Sequence, residues 1–180
     1  MAFLLLSFCS AEAQQKPTSL DKSPLDVSYC PPNYPILKMN SKVDPHPVAR
    51  VLYSRPLKAG RPIFDGIVRF GEIWRVGANE ATEIEFFRNI KFGNKTIHKG
   101  RYTLYAICQP ETWTIIINSE KDAWGIYYNQ KKDVARIDVP VQKSNEIVEP
   151  LTIYFEEAKS DYFLNIMWDD VKVAVPFKAH

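Results

Sequence analysis

From Val48 to the C-terminus, apolar and polar residues alternate with a period of two. In 48–54, Ala49, Val51 and Tyr53 fall on one face, with Val48, Arg50 and Leu52 on the other. In 82–87, Ile84 and Phe86 alternate with Glu83, Glu85 and Phe87. Tyr102, Leu104, Ala106 and Cys108 share a face in 101–108, as do Trp113, Ile115 and Ile117 in 112–118. Residues 133–139 set Ala135, Ile137 and Val139 against Val134, Arg136 and Asp138, and further runs follow at 150–157, 162–168 and 171–177. Short period-two runs joined by polar connectors are the pattern of half-buried antiparallel strands. No stretch carries an apolar stripe at helical spacing over three turns. Gly93-Asn94, lying between apolar runs, predicts a two-residue hairpin turn. The predicted fold is all-β: a single antiparallel β-sandwich, jelly-roll-like, over 48–180.

Upstream the pattern disappears. Residues 14–47 are rich in proline, as in "YCPPNYP" and "VDPHP". Proline fixes its own φ and restricts the residue before it, so this segment is expected as an extended N-terminal arm lying on the domain. Ala2 to Ala11 form an apolar stretch too short to span a bilayer but of the length of a secretory core. Ala11-Glu12-Ala13 gives the small-x-small pattern of a cleavage site, so 1–13 is expected to be a signal peptide, although no Lys or Arg precedes it. The expected location is the periplasm or the exterior. Lipid attachment at Cys9 is the competing reading, weakened by bulky Phe8 just before it. In an oxidising compartment Cys30 and Cys108 would be the remaining thiols, and two readings stay open. They form a disulfide contributing about 4–5 kcal/mol by loop closure, or they are two small buried residues.

Composition narrows the function classes. Lys and Arg number 23 against 21 Asp and Glu, for a net charge of +2, without the basic excess of a nucleic-acid binder. Aromatic content of 13% and the lack of like-charge blocks exclude a disordered chain.

Residues 53–82, "YSRPLKAGRPIFDGIVRFGEIWRVGANEAT", break the alternation with interleaved arginines, carboxylates, aromatics and glycines. A long irregular segment on a rigid sheet is where function usually sits. "YSRPLKAGRPIF", "FGEIWRVGANEAT", "KGRYTLY" and the "WTIIIN…WG" pair resemble the bacterial family called domain of unknown function twenty-nine-eleven, over about residues 23–176. The specific string is "WRVGANEAT". The resemblance implies an exported single β-sandwich domain, and it brings no catalytic residues with it. This chain departs from the family's usual pattern with Ala59 in "KAGR" and with "VRFGE" where Pro-Tyr-Gly is commoner.

Two chemistries fit the residues of this segment. Glu72 and Glu80 are the weak catalytic candidates, as acid and base of a glycan or peptide hydrolase, which needs carboxylates roughly 5–10 Å apart. Against that, each pairs with Arg75 or Arg55 and braces the loop, a reading that the reach of bidentate guanidinium pairs favours. For binding, Tyr53, Arg55, Trp74, Arg75, Asn79 and Glu80 are the candidates, with Trp74 as an aromatic platform for a small molecule, glycan or protein partner. Against that, Trp74 is core and Asn79 caps a turn. Trp124-Gly125 and Tyr127-Tyr128 read either as a binding rim or as strand-end packing. Asp44 and His46 lack a convincing metal spacing, so no metal site is expected, and no cofactor is called for. There is no Gly-x-Ser-x-Gly and no phosphate-binding glycine loop. The expected role is binding in the cell envelope through 53–82; a small hydrolase and a purely structural module are the alternatives.

Overall fold

A computed structural model describes residues 19–159 and 161–179. The expected signal peptide at 1–13, and Cys9 with it, lie outside the described residues. The elements are β1 (Leu25–Cys30), α1 (Tyr34–Met39), β2 (Ala49–Ser54), β3 (Ile73–Trp74), β4 (Glu83–Phe86), β5 (Ile90–Phe92), β6 (Lys95–Ile97), β7 (Gly100–Cys108), β8 (Thr112–Asn118), β9 (Asp133–Ala158) and β10 (Asp161–Ala179). They form one antiparallel sheet in the order β1-β2-β4-β7-β8-β9-β10-β5-β6, with β3 paired to β7 beside β4. The all-β antiparallel expectation holds.

The sheet folds over on itself because β9 serves two neighbours. Its first part, from Asp133 to Pro140, pairs with β8, and its second, from Val141 to Ala158, pairs with β10. The two layers meet through the apolar faces that the alternation marked. Trp168 of β10 stacks on Trp74 of β3 at 6.1 Å, and Phe177 of β10 meets Phe86 of β4 edge-on at 6.0 Å. Ala49, Val51, Ile84, Leu104, Ala106, Cys108, Trp113, Ile115 and Ile117 are all buried in this one core.

Three features differ from the alternation. The runs 133–139 and 150–157 belong to one strand, as do 162–168 and 171–177. The polar stretch between the first two is largely exposed, and only Val141–Lys143 and Val148 of it pair with β10 around a bulge, so no side-chain alternation marks it. Within the proline-rich arm, Leu25–Cys30 pairs with β2 along its full length, and α1 carries Pro35 in its first turn, where the missing N–H costs nothing. The hairpin at Gly93-Asn94 is as expected, joining β5 to β6. At Gly93, with φ +57°, a Cβ would sit 2.7 Å from Ile137 Cγ2, so both backbone and space require glycine.

The cysteines do not pair. Cys30 and Cys108 are free, buried thiols. Cys30 leads through Ala49 and Phe86 to Gly100, at the far end of β7 from Cys108, which puts them about 25 Å apart along the strand direction alone. A disulfide needs Cα atoms within about 7 Å.

Candidate functional site

The segment "WRVGANEAT" is a tight bend between β3 and β4, and its residues are explained by what the bend's carbonyls need. Trp74 Nε1 donates to the Gly77 carbonyl at 3.3 Å, Thr82 Oγ1 to Val76 at 2.7 Å, and Ser54 Oγ to Ala78 at 2.5 Å. Three consecutive buried carbonyls are thus satisfied by side chains instead of a strand ladder, which a bend cannot offer. Val76 has φ +54° and Asn79 φ +58°. A β-branched residue in the left-handed region is strained by roughly 1–3 kcal/mol and persists only where its surroundings fix it. Gly77 is hemmed in: a Cβ there would lie 3.3 Å from Thr82 Oγ1.

Strand alternation then decides what each residue faces. Trp74 and its partner Ala106 point into the core, where Trp74 also meets Trp113 edge-on at 5.7 Å. Trp74 is therefore packing with only its margin accessible, as the structural alternative held. Arg75, one residue on, emerges on the opposite face, beside Tyr105, which precedes Ala106 on β7. The 119–132 loop closes over that face. Its base is pinned by Thr103 Oγ1 donating to the Glu120 carbonyl at 2.7 Å, by Arg101 on Asp122 at 2.7 Å, and by Ala81 N donating to Ala123 O at 2.9 Å. Its far end is held by Tyr128, which meets Tyr105 edge-on at 5.1 Å, donates to Asp133 at 2.5 Å and accepts from Arg136 at 2.6 Å. Burial beside Asp133 pushes the Tyr128 phenol up to about 12. Between these anchors Trp124, Ile126 and Tyr127 stand out, 54%, 59% and 83% exposed.

Beneath this rim lies a cavity of about 360 Å³, walled by Ile67, Ile73, Trp74, Arg75, Gly77, Gly125, Ile126 and Tyr128. Gly125, with φ +86°, rests on the Arg75 stem; a Cβ there would come within 2.6 Å of Arg75 Cδ and 2.8 Å of its Cβ. The stem is clamped, and Arg75 Nε is buried with no hydrogen-bond partner among the described residues. The Tyr105 hydroxyl is likewise buried and unpartnered. Burial raises its pKa, helped by Glu120 and Asp133.

A family profile described as "Protein of unknown function (DUF2911)" matches residues 37–177. The chain belongs to the DUF2911 family. No curated protein and no solved structure matches it. In this DUF2911 chain, then, the signature "WRVGANEAT" builds a bend whose interior is structural and whose one outward guanidinium faces a cavity.

The other candidates from the sequence scatter. Tyr53 and Glu80 line a neighbouring cavity of about 280 Å³ with Leu25, Leu52, Arg101 and Asp122; the 119–132 loop walls both cavities. Arg55 is elsewhere, bridging Asp26 at 3.0 Å, Thr152 Oγ1 at 3.0 Å and the Leu151 carbonyl at 3.2 Å. Asn79 sits half-buried in the bend. The carboxylates are not paired as either reading expected. Glu72 meets only Arg69, at 3.8 Å and fully at the surface, and among the described residues Glu80 has no ion-pair partner. Glu72 precedes Ile73, opposite Ile107, whereas Glu80 approaches Thr82, opposite Leu104, about 10 Å further along β7. Glu72 lines neither cavity. Asp44 binds Arg88 at 3.1 Å and His46 stacks on Phe87. Among the described residues no helix is long and apolar enough to cross a membrane. Of the Trp124-Gly125 and Tyr127-Tyr128 cluster, Tyr128 packs on Tyr105, while Trp124 and Tyr127 are exposed.

Proposed function

We propose that this DUF2911 chain is an exported binding module of the cell envelope, and that its contact surface is the Arg75 cavity with its rim of Trp124, Ile126 and Tyr127. One observation carries the reading. Large apolar side chains are held outward by a loop that is anchored on both sides, around a cavity whose arginine has no side-chain partner among the described residues. A sheet stabilised for its own sake would bury those side chains and pair that charge. Export is supported by the apolar run before Ala13, and the 53–82 segment contributes the floor of the site through Ile67, Ile73 and Arg75. The hydrolase alternative lacks support, since Glu72 and Glu80 do not share a cavity.

The test is thermal unfolding of the chain beside Arg75→Met and Glu80→Gln. Met keeps the stem that Gly125 covers and removes the buried Nε that has no partner among the described residues, so the midpoint is expected to stay or rise by a few degrees; removing a buried donor left unpaired relieves its desolvation cost. If both variants lose many degrees, these charges brace the fold and the contact surface lies elsewhere.

A further inference from the structure

Resting on that reading, we propose that the Arg75 cavity takes a carboxylate carried on an apolar or aromatic body, on the scale of an amino-acid or short-peptide terminus. The argument begins with the charges around the cavity. Three acids of this face are committed, Glu120 to Lys132 at 2.5 Å, Asp122 to Arg101 at 2.7 Å and Asp133 to Arg136 at 2.7 Å, while Glu80 lines the neighbouring cavity and not this one. Arg75 has no ion-pair partner among the described residues, and its Nε is out of water with nothing to donate to. A clamped, partly desolvated guanidinium gains most from a planar acceptor that takes two parallel hydrogen bonds, which is the geometry of a carboxylate. The unpartnered Tyr105 hydroxyl, on the same face of β7, is a second group left without an acceptor.

The remaining walls set the rest of the ligand. Ile67, Ile73, Ile126, the margin of Trp74 and the phenol ring of Tyr128 supply apolar wall beside the charge within a lining that is otherwise polar, and the exposed Trp124 and Tyr127 lie on the same loop as Gly125 and Ile126. A single guanidinium within such walls suits a monoanion. A phosphate, with nearly two charges, needs more cations than the cavity lining supplies.

The experiment titrates the full chain with N-acetylphenylalanine, with its neutral amide and with phenyl phosphate. Tryptophan fluorescence reports occupancy, from Trp74 in the cavity wall and from the exposed Trp124 on the covering loop. Parallel titrations of Trp124→Phe identify the signal, and those of Arg75→Met identify the charge. The carboxylate is expected to bind with a Kd on the order of 1 mM, as its size allows. The amide should bind at least about tenfold more weakly, and Arg75→Met should erase that difference. Equal binding of acid and amide by the unaltered chain overturns the carboxylate inference while leaving a binding module in place. Tighter binding of phenyl phosphate overturns it as well, as does no binding of any probe about tenfold above that concentration. The melting of Arg75→Met decides the binding reading separately, since it involves no ligand.

Discussion

Thr82 is fully buried, and its hydroxyl donates to the Val76 carbonyl at 2.7 Å, at the residue that the bend holds at φ +54°. Thr82→Val keeps the shape and removes the donor. The carbonyl is left inside the protein without a partner, which costs about 1–3 kcal/mol. The new methyl group returns up to about 0.8 kcal/mol by burial. That return is reduced here, because the space is already tight against Gly77, whose Cβ position lies 3.3 Å from the oxygen being replaced. The net loss is about 2 kcal/mol, or a fall of roughly 4–8 °C in midpoint for a domain of this size. Ser54→Ala removes the donor to Ala78 and should cost a similar amount, about 1–2 kcal/mol. Because both hydroxyls hold one bend, the double variant should lose less than the sum, with a coupling of about 0.5 kcal/mol or more. Urea unfolding followed by tryptophan fluorescence, with a parallel thermal melt by circular dichroism, measures all three. Thr96→Val, on the exposed β6 strand, is the control and should stay within about 0.5 kcal/mol of the parent. The reasoning fails if Thr82→Val and Ser54→Ala both behave like that control, for then the bend does not depend on side-chain donors.

The same reading makes two further predictions. Burial pushes the Cys30 thiol up from 9.0 to about 12, with Glu157 adding to the shift and Arg88 opposing it, and burial alone raises Cys108 as well. A thiol-reactive aromatic disulfide at neutral pH should therefore label neither in the folded chain and both in urea, each thiolate displacing one aromatic thiolate. Because the folded state keeps these protons where the unfolded chain releases them, stability is fully present below about pH 9 and falls as the pH rises from there toward 12. Urea midpoints at neutral and strongly alkaline pH would show the decline, and Cys108→Ala should flatten it. Arg55 ties β1 to β9 through Asp26, Thr152 and the Leu151 carbonyl. Its guanidinium is about one-third exposed, so Arg55→Met should cost only about 1–2 kcal/mol after solvent screening. Amide exchange at Tyr53 and Leu151 should accelerate more than exchange in β7 and β8, and uniform acceleration would refute the local tie.

What the sequence made legible follows from where each residue's information is stored. A strand with one face in the core writes that fact in its own alternation, so β2, β4, β7 and β8 could be read within a residue or two, with the right residues inward. The joined halves of β9 are written differently. Residues 141–143 and Val148 are held by backbone pairing to β10, with a bulge between them, and backbone hydrogen bonds leave no trace in side-chain polarity. The site divides along the same line. Trp74 looks like a ligand platform because an aromatic between charged neighbours is ambiguous until its strand partner is known; pairing with Ala106 turns it inward and, by the same step, turns Arg75 out. The Glu72 and Glu80 pairing failed for a related reason. Eight residues of chain allow two carboxylates to meet, but Ile73 and Thr82 are fixed against Ile107 and Leu104, and that fixes the carboxylates apart. The loop that completes the cavity comes from residues almost fifty positions later, and Gly125 shows why a single pass along the chain could not find it. It must be glycine because Arg75 lies beneath it, and among the described residues Arg75 has no ion-pair partner because the loop that covers its stem supplies no acid to its head. Each residue looks ordinary alone. Together they leave one guanidinium nitrogen buried without a partner among the described residues, a cost in stability that an acceptor bound from outside would offset.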